Sequence, residues 1–141
     1  MKGTRPPSLR AAFCALLVVM SASLGEAVCG WYLLVPSRGP YDAKAPFLQG
    51  FKILTDMPLS KWGHQGSYES AEGCAVAKST QVRTEHSMYS KSVEEYQRLV
   101  ADKSMDEKRL STQRYLAENQ NAIVAALAAA RCIATHDPRL R

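Results

Sequence analysis

The chain contains no Cys-x-x-Cys, no Gly-x-Ser-x-Gly and no His-Glu-x-x-His, and no glycine-rich phosphate loop follows a strand-like run. These absences remove redox-active dithiols, nucleophile elbows, zincin helices and nucleotide cradles from consideration. The three histidines, His64, His86 and His136, are far apart and have no metal-ligand spacing with any cysteine or acid. No cofactor or metal is therefore implied. Charge of one sign is not concentrated either. The 18 basic and 13 acidic residues give a net charge of +5. Residues 1–27 hold Lys2, Arg5, Arg10 and Glu26, so 18 less three against 13 less one leaves +3 for the remainder. Its basic residues are interspersed with acids and form no stripe, which argues against a nucleic-acid partner. With 46% hydrophobic and 22% charged residues, wholesale disorder is also excluded.

What is present begins with an export signal. Residues 1–10 carry three cations and no acid, Ala11 to Met20 is wholly apolar, and Ser21 to Ala27 is rich in small residues. This is the layout of a secretory signal peptide, expected over residues 1–27. Gly25 and Ala27 suit the −3 and −1 positions of a cut that starts the mature protein at Val28. Ser21 with Ser23, and Val28 with Gly30, are alternatives. An uncleaved anchor is the competing reading. However, the apolar run to Gly25 falls short of the roughly 20 residues of a bilayer span, and extending it to Val35 would bury Glu26.

Export places the cysteines in an oxidising space. Cys14 leaves with the signal. Cys74 lies in an Ala-rich helical segment and Cys132 just after another, and these two are expected to pair. Cys29 has three fates open to it: loss by cleavage after Gly30, a free or intermolecular thiol, or lipidation as a membrane tether. In the last case Glu26 and Val28 stand where a lipobox has Leu and a small residue.

Residues 28–141 read as a single small α+β domain. Trp31–Val35, ended by Pro36, reads as a strand buried on both faces. Residues 36–50, with Pro36, Gly39, Pro40, Pro46 and Gly50, read as an exposed loop. Residues 51–54 suggest a short second strand, and Gly63-His64-Gln65-Gly66 a turn. A helix over 70–78 is capped by Ser70, with Glu72 in its first turn. Between Thr84 and Thr135 there is neither Gly nor Pro. Capping boxes at Ser92 and Ser104 predict helices over 91–102 and 105–131, a single long helix being the alternative. The Ala-rich run 122–130 reads as a core helix, and Arg131–Ala134 as a final strand beside Trp31–Val35. The fold class expected is α+β: a two- or three-stranded antiparallel sheet covered by two or three helices, with one disulfide.

Few residues carry candidate chemistry. Trp62 and His64, an aromatic and an imidazole flanking Gly63, are the candidate binding residues, as the rim of a pocket. A Trp packed to close a small core is the simpler reading of Trp62. His136-Asp137 pairs a base with an acid but lacks a nucleophile motif, and reads as a surface turn. The mixed-charge stretch 94–114 reads as a solvated helix face.

Four pieces of sequence carry a resemblance: Trp31-Tyr32-Leu33-Leu34-Val35-Pro36; Pro58-Leu59-Ser60-x-Trp62; Ser67-Tyr68-Glu69-Ser70-Ala71-Glu72-Gly73-Cys74; and Arg131-Cys132-Ile133-Ala134-Thr135-x-Asp137-Pro138-Arg139-Leu140. Together they resemble a group of small exported bacterial proteins of uncharacterised function. In that group a Trp-led strand precedes a Cys-bearing helix start and a Cys-x-x-x-Asp-Asp-Pro-Arg end. Here His136 stands where an acid is commoner. The resemblance implies export and a Cys74–Cys132 pairing, and no activity. The leading expectation is a non-enzymatic binding or structural module of the bacterial periplasm or cell envelope. The alternative is a membrane-tethered accessory subunit of an envelope complex that meets a protein partner through helix 105–131. A small hydrolytic enzyme ranks last.

Overall fold

Aromatic and β-branched side chains suit a pleated, half-buried surface, and Trp31–Val35 forms strand β1 at the centre of a three-stranded antiparallel sheet of order β2-β1-β3. The computed structural model describes residues 30–141. The expected signal peptide and Cys29 lie outside the described residues. β3 is Arg131–Ala134, with Leu33 opposite Cys132 and Tyr32 opposite Ile133. β2 is Gly63–Tyr68, with Trp31 opposite Tyr68.

Alternation along β1 splits its side chains between two clusters. Leu33 packs with Cys74 and Ala130, flanked by Trp31, Val35 and Cys132. Leu34 packs with Leu59, Trp62 and Ile133, flanked by Tyr32 and Leu140. Adjacent residues Leu33 and Leu34 are thus both buried, which is why β1 lacks a polar alternation. The helices cover one face. A 3-10 turn at Leu59–Lys61, the ring of Trp62 and the C-terminal Leu140 cover the other.

Two sequence expectations are corrected here. Gly63-His64-Gln65-Gly66 is part of strand β2 and not a turn. Its low strand propensity is overridden by backbone pairing to β1, and the register shift between Leu33 and Leu34 leaves Gln65 without an opposite residue, a bulge at the sheet edge. Residues 51–54 form no strand. Only an isolated bridge joins Arg38 to Ile53, because this segment belongs to a loop that folds back on itself (Gly39 N to Lys52 O 2.8 Å, Leu54 N to Ser37 O 2.9 Å).

The helices also differ from the boundaries expected. α1 runs unbroken over Ala71–Ala101, merging the segments expected at 70–78 and 91–102. Ser70 caps it, its Oγ accepting from Gly73 N at 3.0 Å. Ser92, expected to cap a second helix, instead donates its Oγ to Met88 O within α1 at 3.0 Å. Ser79 and Ser90 likewise bond back to Val76 O and His86 O, a mode open to any helical serine. The expected break near Lys103 is present. Ser104 is tied to Asp102 (N to Oδ1 3.0 Å, Oγ to Oδ1 2.7 Å), and Asp106 is the residue that caps α2, Glu107–Ala129, accepting from Arg109 N. α1 and α2 pack as an antiparallel hairpin. Buried Ala117, Ala122 and Ala126 give α2 small side chains along its inner face.

Candidate functional site

The two cysteines sit where strand alternation and helix phase meet. Cys132 lies opposite Leu33 and so points to the helical face of the sheet, while Cys74 is fully buried one turn into α1. Their Cα atoms are 6.0 Å apart and joined by a disulfide across 58 residues. The bond ties the first turns of α1 to an edge strand.

Trp62 is 7% exposed. Its Nε1 donates to Met57 O at 2.9 Å, and the Arg131 guanidinium lies over its ring at 5.5 Å. It closes the outer core and is shielded from solvent by a cation. His64 is exposed on β2, with its ring 4.6 Å from that of Tyr32 in an edge arrangement and its Nε2 3.1 Å from Ser67 Oγ. This is a serine–histidine pair on an open strand. A hydrolytic dyad needs a third group to orient the imidazole, and no carboxylate bonds His64 among the described residues.

At the C-terminus Asp137 does not serve His136. Its Oδ1 caps a 3-10 turn by accepting Arg139 N at 2.9 Å, and the Arg139 side chain grips both carboxylate oxygens at 2.9 and 2.7 Å. These bonds, the Arg139 side chain first, hold the Asp137 carboxyl down at about 2. Because the folded value is depressed below 3.8, the interaction supports folding fully above that pH and is lost as pH falls through about 2. Carbon-detected NMR titration of Asp137 should give a midpoint near 2, and Arg139→Ala should return it toward 3.8. An undepressed wild-type midpoint would disprove the fork in solution.

A polar clamp is the part that sequence reasoning missed. The Glu118 side chain is fully buried, and its Oε1 accepts Arg114 Nε at 2.7 Å. Its Oε2 accepts the backbone N–H of Gly50 at 2.8 Å. Arg114 also donates to Ala45 O at 2.5 Å, Asn121 to Leu48 O at 3.0 Å, and Arg38 to Asn119 Oδ1 at 2.5 Å. α2 therefore holds the 38–50 loop at several points. The bond to Glu118 raises the Arg114 guanidinium above its ordinary value, and burial, with Glu118 nearby, raises the Tyr41 phenol. The signal in the sequence is slight: four consecutive polar residues, Glu118-Asn119-Gln120-Asn121, precede the Ala-rich run 122–130, so at least one of them must fall on the buried face of the helix.

Between the end of β1, the start of β2 and the two helices lies an open cleft of about 500 Å³. Neither His64 nor Trp62 lines it. Its polar groups include Gln65, Gln81 and Glu85, and its apolar ones Ile123, Ala126 and Leu127. Glu85 Oε2 accepts Gln120 Nε2 at 2.5 Å. Gln81 Oε1 is buried without a hydrogen-bond donor among the described residues.

Among the described residues no group of three or more His, Cys, Asp or Glu is placed to hold a metal, and no helix is long and apolar enough to cross a membrane. No family of known proteins, no curated protein and no solved structure matches the chain.

Proposed function

We propose that this chain is an exported, disulfide-stapled and non-enzymatic binding module of the bacterial cell envelope. The Cys74–Cys132 bond carries the reading, because structural disulfides that join a helix to an edge strand belong to compartments where thiols are kept oxidised and are rare elsewhere. The cationic, apolar and small-residue layout of residues 1–27 supports the same compartment. Binding, in preference to catalysis, is supported by the state of the two histidine candidates. His64 has a hydroxyl partner but no acid among the described residues, and the acid next to His136 is taken by Arg139.

The signal is cut before Gly30. Gly30 is buried, its carbonyl accepts Thr135 N at 2.9 Å and its N–H donates to Thr135 Oγ1 at 3.4 Å. A cut after Gly30 would strip these bonds from the open end of the sheet. The intact mass of protein recovered from an exporting bacterial host, before and after reduction, tests the proposal. The expected mass starts at Val28 and gains two protons on reduction. A mass starting at Met1, or one unchanged by reductant, would overturn export or the internal bond. A mass starting at Cys29 with added lipid would replace the free module with a membrane-tethered subunit.

A further inference from the structure

The disulfide is not equally sheltered at its two ends. Cys74 is fully buried. Cys132 is only partly buried, and it lines a second open groove, of about 500 Å³, between α1, the end of α2 and the edge strand β3. Its side chain faces the helices, as its place opposite Leu33 requires, and so meets this groove on the helical side. The other walls are built of small or aliphatic side chains, Ala75, Val82 and Ala128 among them, which leave room beside Cys132 and do not cover it. One cation lines the groove among the described residues. Lys78, one turn after Cys74 on α1, gives its ammonium to Ala130 O at 2.6 Å, two residues before Cys132, and it pairs with no carboxylate among the described residues. The nucleophile of thiol–disulfide exchange is an anion, the thiolate. An apolar groove with one ammonium that no carboxylate neutralises complements that charge.

We propose that a low-mass thiol enters this groove and exchanges with the staple at Cys132 alone, Cys74 being the sulfur that leaves and later re-closes the bond. In the opening step the incoming thiolate uses its own electron pair to bond Cys132 Sγ. The bond between the two Sγ atoms breaks, and its pair leaves on Cys74 Sγ as a thiolate. One disulfide replaces another and one thiolate replaces another, so no outside oxidant or reductant is needed. Closing is the reverse: Cys74 Sγ attacks Cys132 Sγ and expels the thiol. Cys74 lies in the first turn of α1, where the helix dipole favours an anion. It also lies among Leu33 and Ala130, whose apolar surroundings disfavour one. The opened form therefore re-closes readily, and the staple is opened and restored within the folded chain. Exchange at Cys132 is independent of export and of any ligand-binding role.

The test uses the disulfide-intact protein, incubated with reduced glutathione in native buffer, quenched in acid and mapped by peptide mass spectrometry. Glutathione is expected on Cys132 and not on Cys74. Cys74→Ala, which cannot re-close the bond, should accumulate the Cys132 adduct from oxidised glutathione. Cys132→Ala should leave Cys74 unmodified until urea unfolds the chain. Where a cysteine variant loses its fold, two variants that keep the staple give the readout. Ala128→Leu, at an exposed helix position that lines the groove, should slow opening roughly fivefold or more with the melting temperature unchanged. Lys78→Met should lower the preference for glutathione over cysteamine, a cationic thiol, by about threefold. Four results would each overturn the proposal: glutathione on Cys74 or on both cysteines, no adduct at Cys132, opening that low urea accelerates (the route through the unfolded chain), or Ala128→Leu opening as fast as the wild type.

Discussion

Replacing Cys74 with serine is expected to destabilise the protein by about 4 kcal/mol, and replacing Cys132 should cost the same, because each removes one and the same cross-link over 58 residues. For a domain of this size that corresponds to a melting temperature lower by on the order of 15 °C. The double variant should be no worse than either single one, a complete failure of additivity that marks a shared interaction. Reductant should lower the melting temperature of the wild type and leave the double variant unmoved. Thermal unfolding of the four proteins with and without reductant decides the matter. The reason for expecting so large an effect lies in the fold. The sheet has only three strands, the edge strand β3 has only four residues, and its hold on α1 runs through Cys132. Small sheets need such cover to be stable. Unequal single-variant effects beyond the difference in burial of the two side chains would show that the bond is not the main constraint.

The second large effect is expected at Glu118. Glu118→Ala removes a buried carboxylate from a half-buried ion pair, leaves Arg114 with Ala45 O in place of a carboxylate, and leaves the Gly50 N–H without its acceptor. Leaving the Gly50 N–H unsatisfied and removing the carboxylate from Arg114 costs about 1–3 kcal/mol. Gly50→Ala attacks the same point from the loop. A Cβ there would lie 1.9 Å from Glu118 Oε2 and 2.5 Å from Tyr41 Cε2, and one of these groups must move. The cost of that overpacking is about 1–3 kcal/mol. The two substitutions should be strongly non-additive, since removing the carboxylate removes the closer of the two clashes. A double-mutant cycle in urea measures the coupling. Fully additive losses, or a Glu118→Ala cost below about 1 kcal/mol, would mean that the clamp does not hold the loop in solution. Together with the disulfide, the clamp accounts for two separate ways of ordering the chain: one ties the sheet to α1, the other ties the long loop to α2.

Local chemistry made several elements readable in advance. The run Trp31-Tyr32-Leu33-Leu34-Val35 signals a strand buried on both faces because neither parity is polar. Ser70 and Glu72 announce the start of α1, and the absence of Gly and Pro from Thr84 to Thr135 announces the hairpin that follows. Other elements were not readable, and each for a stated reason. β2 consists of residues that prefer turns, and only the open edge of β1 makes a strand of them. Ser92 has the sequence of a cap, but a serine in a helix has a second choice, its own i−4 carbonyl, and the packing of α1 on α2 decides in favour of that choice. Residues 51–54 have strand composition but no neighbouring strand to pair with, since β1 is flanked on both sides already.

The candidate site divides along the same line. Cysteine content, the layout of residues 1–27 and the lack of catalytic motifs are properties of composition and order, and they suffice for the disulfide pair and for the proposed compartment. Trp62 and His64 were singled out by their neighbours in the chain. The fold gives them different surroundings, placing Trp62 in the core under Arg131 and His64 on an exposed strand, because Trp62 closes the 3-10 turn that covers the sheet while His64 lies within the edge strand β2. The Glu118 clamp unites residues up to 81 positions apart, and the cleft at Gln81 and Glu85 brings together Val35 and Leu127. By itself the sequence determined the elements whose signals are local, the α+β class and the staple. Only the tertiary structure decided which polar side chains are buried, which of them are satisfied and which acceptor is left open, since burial and pairing depend on contacts between segments that no local pattern encodes.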